Sequence, residues 1–169
     1  RYEHFVQFYR LTADSLRVPH ARNTEPDQSR KTPFPFAIPL ADQTAPDIFG
    51  FHQPERHNGR AFRWSKAVAA IRLTPPWADL TCRVVLANVR APKRGEVAVF
   101  LGRHRLENVQ CKSENPSISF EIPARCLSAE GCSWLIIATV PWASTGIQIE
   151  DRRELGLPIE SIEILRATT

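Results

Sequence analysis

A chain of 169 residues, 43 % of them hydrophobic, can bury one real core, is too short for two ordinary domains plus a linker, and is too apolar to be disordered throughout. Its net charge of +4, from 22 Lys and Arg against 18 acids, is scattered along the chain; this argues for a mixed solvated surface and against a nucleic-acid stripe. No apolar run approaches the roughly 20 residues of a membrane span, and the first residues lack a signal-peptide pattern.

Residues 1–18 place Phe5, Phe8, Tyr9, Leu11 and Leu16 at roughly helical spacing, which predicts two or three turns of amphipathic helix. Residues 19–46 change character, with prolines at 19, 26, 33, 35 and 39 among polar residues, and read as a Pro-rich linker. Within it Phe34, Phe36, Ile38 and Leu40 alternate, as in a piece lying along a sheet edge, where proline is tolerated. The chain therefore divides at 46/47 into an N-terminal helix with its linker and a β domain over 47–169.

From residue 47 onward the strand period of two dominates. Ile48–Phe51 reads as a short strand, and a second over 62–65 follows the Asn58-Gly59 turn signal. In residues 67–73 Ala69, Ile71 and Leu73 face one way while Val68, Ala70 and Arg72 face the other. Leu80, Cys82, Val84 and Leu86 form the inward side of a long strand. Residues 96–101 continue the pattern, and Gly102-Arg103 turns the chain into 106–109. Ile118, Phe120 and Ile122 alternate again, and the continuous apolar run 134–140 predicts a central strand buried on both faces, with Trp134 in the core. The last strand, 159–165, has Ile159, Ser161 and Glu163 on one side and Ile162 and Ile164 on the other. About eight short strands with regular turn signals and no intervening helices predict an all-β chain, an antiparallel β-sandwich of jelly-roll type.

Chemistry-bearing motifs are sparse. His52, Glu55 and His57 are the most tempting cluster, but the five-residue spacing with Pro54 inside it does not fit a zincin helix. No nucleophile elbow, Gly-rich phosphate loop or CxxC pair is present. The expectation is therefore no catalytic residues, no metal and no cofactor. Cys82 fits a small buried hydrophobe, while Cys126 and Cys132 bracket a short turn that a disulfide can span, which would imply an oxidising compartment.

The informative stretch is residues 49–73. Phe51, His52, Glu55, Phe62, Arg63 and Trp64 come within a few strand residues of each other, and an exposed indole beside charged groups suits a sugar ring. Two readings stand side by side: Trp64 caps the core with Arg63 paired to Glu55 or Asp151, or Trp64 and its neighbours contact a ligand. At the far end, Arg152 or Arg153 is placed to pair with Glu55 and tie first strand to last, and Gly156 permits a turn with positive φ.

The order of these motifs resembles a β-sandwich accessory module of bacterial cell-surface polysaccharide proteins, often attached to glycosyltransferases. Gly50, Phe51, Pro54 and Glu55 match its Gly-aromatic-x-x-Pro-Glu lead, Arg63 and Trp64 its Arg-Trp strand, and Asp151, Arg152, Leu155 and Gly156 its closing turn. The resemblance covers residues 49–165 and implies a non-catalytic, galactose-binding-like or carbohydrate-binding-like domain. Trp64, Arg63, His52, Glu55 and Arg152 are then the expected glycan contacts. A chain without methionine even at position 1 suggests an excised piece of a larger bacterial protein, envelope-associated or cytoplasmic. Other domains of that parent are expected partners, and neither nucleic acid nor a membrane span is. The alternatives are a structural domain docking on its parent enzyme or an envelope complex, and, more distantly, a glycan-active enzyme on a jelly-roll scaffold.

Overall fold

The computed structural model describes residues 35–41, 47–89, 97–106, 110–112, 117–127, 132–143 and 153–167. Within these the chain is all-β. The strands are β1 (Phe36–Pro39), β2 (Ile48–Phe51), β3 (Glu55–His57), β4 (Arg60–Leu73), β5 (Leu80–Leu86), β6 (Val97–Leu101), β7 (His104–Leu106), β8 (Gln110–Lys112), β9 (Ser117–Ile122), β10 (Ser133–Thr139), β11 (Trp142–Ala143), β12 (Glu154–Leu155) and β13 (Pro158–Arg166). A 3-10 turn, Ala124–Cys126, is the one helical feature among the described residues. The helix expected over residues 1–18 lies outside them.

All pairings are antiparallel, and the main sheet runs β7-β6-β10-β4-β13-β5-β9-β8, with β1 joined to β13 and β2 and β3 joined to β4. β7 comes up against β9, so the sheet nearly closes on itself. The result is a sandwich or barrel-like arrangement around one main core. Ile71, Leu73, Leu135 and Ile137 reach that core from β4 and β10, and Cys82, Val84, Phe120, Ile162 and Ile164 reach it from β5, β9 and β13. The alternation read from β5 and β9 is kept: Leu80, Cys82, Val84, Leu86, Ile118, Phe120 and Ile122 are all buried. Burial pushes the Cys82 thiol well above its ordinary value, and the nearby Glu163 carboxylate pushes the same way. Cys82, Cys126 and Cys132 are free thiols, so the turn-spanning bridge between the last two is not formed.

Four features depart from the sequence reading, each for a local reason. First, the Pro-rich stretch contributes β1 to the sheet, with Ile38 facing Ile162 and Leu40 fully buried, so the paired structure begins before residue 47. As an edge strand, β1 tolerates Pro39. Second, residues 60–73 form one 14-residue strand rather than two. Its first half pairs with β3 and β13, its second half with β2 and β10, and the register against β2 jumps between Phe49 and Phe51. A strand that changes partners at a bend makes a corner between layers.

Third, Ile159 points inward with Ile162 and Ile164, because the register against β5 slips between Ile159 and Ser161. Glu160 is the extra residue of a β-bulge, and its carbonyl accepts a hydrogen bond from the Leu40 amide at 3.0 Å. Fourth, β10 is central and buried on both faces at Ile136 and Ala138, but Trp134 is only half-buried. The Asn58-Gly59 turn is as expected: both residues have positive φ, 49° and 77°, and His57 faces Arg60 across a two-residue hairpin.

Candidate functional site

The 49–73 stretch and the closing segment do meet. Pro158 faces Trp64 and Ile159 faces Arg63 across β13 and β4. The Ser65 amide donates to the Leu157 carbonyl at 2.8 Å, and the Gly156 amide donates to the Ser65 carbonyl at 2.7 Å. Ser65 is fully buried, and its Oγ accepts from the Leu157 amide at 2.8 Å, so its polar atoms are satisfied where they cannot reach water.

The expected glycan contacts around this junction are engaged in holding it. Trp64 is 6 % exposed and lies edge-on to Phe62 at 5.8 Å, in a small second core with Ala87 and Leu155. It has no open ring face on which a sugar could stack. Arg63 does not pair with Glu55, and Asp151 lies outside the described residues: the Arg63 Nε donates to the Leu40 carbonyl at 2.7 Å and its Nη1 to the His52 carbonyl at 3.1 Å. This guanidinium joins three stretches of main chain where β13 passes from β4 to β1. The His52 ring donates through Nε2 to the Glu154 carbonyl at 3.0 Å. Gly156 is not in the positive-φ region. It is glycine because an added Cβ would meet the Ser65 hydroxyl, the Lys66 carbonyl and the Thr139 methyl.

Glu55 accepts a 2.7 Å hydrogen bond from Nη1 of Arg153, tying the start of the domain to its end. Arg152 and Asp151 lie outside the described residues. The Glu55 and Arg153 side chains keep 35 % and 39 % of their surface exposed, so water screens the pair. Glu55→Gln is expected to lower stability by about 1 kcal/mol, the upper end for such pairs, and by less at high salt. Urea melts at two salt concentrations check this, and an unchanged midpoint at low salt would remove the clasp.

The accessible aromatic surface lies elsewhere, on the side of β10 and β4 that faces away from the main core. Phe49 on β2 is 58 % exposed and packs against Trp134 on β10, ring centroids 5.3 Å apart and planes tilted by 52°. Cross-strand partners share a face, so Phe49, Ala70, Ile136, Phe100 and Arg105 form one row across five strands. Arg72 stands directly beside Trp134 in the next row. It forms a 3.0 Å ion pair with Asp47. Donating to Asp47, and next to the Cys132 sulfur, holds the Arg72 guanidinium above its ordinary value; partial burial opposes this.

The opposite face, over β13, β5 and β9, carries Thr81, Arg83, Ser119, Glu121 and Glu163, an ordinary solvated surface with Arg83 3.7 Å from Glu163. The two outer faces therefore differ in kind, and an aromatic, Arg-bordered one is suited to hold a ligand. Sequence reasoning missed Phe49 and Trp134 because the apolar run 134–140 hides which of its residues looks outward. The one available signal was the alternation of 67–73, which put Arg72 on the outward side.

Among the described residues no group of three or more His, Cys, Asp and Glu side chains could hold a metal ion, and no helix is long and apolar enough to cross a membrane. No protein-family model matches the chain, and no curated protein matches it in sequence. What fold and site define is a class: an antiparallel, nearly closed all-β domain with an aromatic pair, Phe49 exposed and Trp134 half-buried, on one outer face.

Proposed function

We propose that this chain is a non-catalytic carbohydrate-binding accessory domain of a larger bacterial cell-surface polysaccharide protein, built as a galactose-binding-like jelly roll. The observation that carries the reading is the Phe49–Trp134 pair, with Phe49 58 % exposed and Trp134 half-buried, beside the Arg72–Asp47 ion pair. Pyranose C–H faces pack on such rings, and the neighbouring charged groups pair with hydroxyls. The site thus moves from Trp64, where the sequence resemblance places it, to a face about one strand away on β2 and β10. Glu55, His52 and Arg63 become the residues that hold the scaffold.

Calorimetric titration of the chain with a panel of neutral and acidic oligosaccharides tests this. Binding in the micromolar-to-millimolar range is expected, with Phe49→Ala weakening it about tenfold, the loss of roughly 1.4 kcal/mol of ring contact. The melting temperature should stay nearly unchanged, because Phe49 is already 58 % exposed. No binding to any sugar, or full binding by Phe49→Ala, overturns the assignment. A second reading, a docking element for its parent or an envelope partner, is favoured by Trp77, which stands 62 % exposed in the β4–β5 loop after two prolines.

A further inference from the structure

We infer that Asn58 is a modification site: its side-chain amide converts spontaneously to a carboxylate through a cyclic imide formed with Gly59. In that reaction the Gly59 nitrogen gives up its proton to hydroxide or another base and attacks the Asn58 Cγ. A carbon–nitrogen bond forms, and the side-chain nitrogen leaves as ammonia. Water then opens the ring at either carbonyl, giving aspartate or iso-aspartate.

The residue after the asparagine governs the rate, because its nitrogen is the nucleophile. Glycine leaves that nitrogen uncrowded, a β-branched neighbour hinders it, and proline has no N–H to give up. Asn58 precedes Gly59, whereas Asn23, Asn88, Asn108 and Asn115 precede Thr, Val, Val and Pro. The fold does not withdraw this advantage. Asn58 and Gly59 are exposed at the tip of the β3–β4 hairpin, between the exposed His57 and Arg60. Among the described residues neither the Asn58 side chain nor the Gly59 amide has a hydrogen-bond partner. A Cβ built on Gly59 meets nothing within 4 Å, so no neighbour crowds the ring that must close there. Closure requires the Asn58 main chain to rotate out of its turn conformation, and an exposed tip at the end of a three-residue strand opens at little cost.

The two products differ in what they do to the domain. Aspartate keeps the turn, since Asp-Gly suits the same two-residue hairpin as Asn-Gly. Iso-aspartate routes the main chain through the side-chain carbon and lengthens the loop by a backbone atom. That loop sets the pairing of His57 with Arg60 and of Glu55 with Phe62. Glu55 in turn accepts the 2.7 Å hydrogen bond from Arg153. The iso-aspartyl product therefore loosens the clasp between β3 and the closing segment.

The test is incubation of the full 169-residue chain in warm, mildly alkaline buffer, with peptide mass mapping of every asparagine over time. In the folded chain Asn58 is expected to convert at least about tenfold faster than any other asparagine. Gly59→Ala should slow the conversion by about tenfold or more, and should do so in urea as well, where the added methyl acts without the turn. Conversion of Asn58 in urea but not in the folded chain would show that the hairpin shields it, and overturns the inference. Earlier conversion at another asparagine does the same. Ion exchange then separates the two product forms for urea unfolding at low salt. The aspartate form should keep the midpoint of the starting chain and the iso-aspartyl form should unfold earlier. An iso-aspartyl form with an unchanged midpoint overturns the coupling to the clasp.

Discussion

Trp64→Ala is expected to destabilise the domain by about 3–5 kcal/mol, the range for removing a large aromatic from a packed interior. The indole is 6 % exposed, meets Phe62 edge-on at 5.8 Å and packs with Leu155 and Ala87. Its main chain pairs with Pro158, so a cavity here opens beside the β4–β13 seam that joins the beginning of the domain to its end. Neighbouring strands cannot collapse into the space without breaking that seam. Trp64→Phe, which keeps a ring in the site, should cost less than half as much. The measurement is urea unfolding of both variants alongside the wild type. A Trp64→Ala variant within 0.5 kcal/mol of wild type, the scale of an ordinary surface change, yet unable to bind sugar, would show that the indole faces a ligand and that its burial has been misassigned.

The same residue shows where sequence reasoning stops. Strand faces were legible wherever alternation was clean, as in β5 and β9, because inward and outward positions follow from the pleat alone. Asn58-Gly59 was legible because a two-residue hairpin needs two positive φ values, and those residue types supply them. The link from Glu55 to an Arg of the closing segment could be foreseen from charge, and Arg153 makes it.

Trp64 and Trp134 could not be placed in this way: Trp134 reads as core and Trp64 as either core or ligand contact. Trp64 sits between Arg63 and Ser65 while Trp134 opens an apolar run, yet what decides exposure is the element laid beside each. Trp64 lies beside Pro158 over a second core, whereas Trp134 lies beside Arg72 with Phe49 leaning on it. The inward turn of Ile159 was hidden for a related reason. One bulged residue, Glu160, reverses the parity of everything before it, and nothing in the residue itself announces the bulge.

Gly156→Ala is expected to cost about 3 kcal/mol or more, making it among the most damaging small substitutions in the chain. The reason is contact and not backbone freedom, since Gly156 lies outside the positive-φ region. A methyl group there would run into the Ser65 hydroxyl and come within 2.8 Å of both the Lys66 carbonyl and the Thr139 methyl. None of these can yield cheaply. The Ser65 hydroxyl accepts from the Leu157 amide at 2.8 Å, and the Lys66 carbonyl belongs to β4. Thr139, only 2 % exposed, is locked in β10. Relief requires the closing segment to lift away from β4. That would strain the Gly156–Ser65 and Ser65–Leu157 main-chain hydrogen bonds, at 2.7 and 2.8 Å, and leave buried polar groups without partners. Gly59→Ala makes the comparison fair: its added Cβ meets nothing within 4 Å, and only the positive φ of 77° opposes it, so it should cost about 1 kcal/mol. Thermal or urea unfolding of the two variants separates steric from conformational cost. If Gly156→Ala unfolds at the same midpoint as Gly59→Ala, β4 and the closing segment do not approach as closely as described, and the seam that aligns Trp64, Arg63 and Glu55 is looser than the geometry requires.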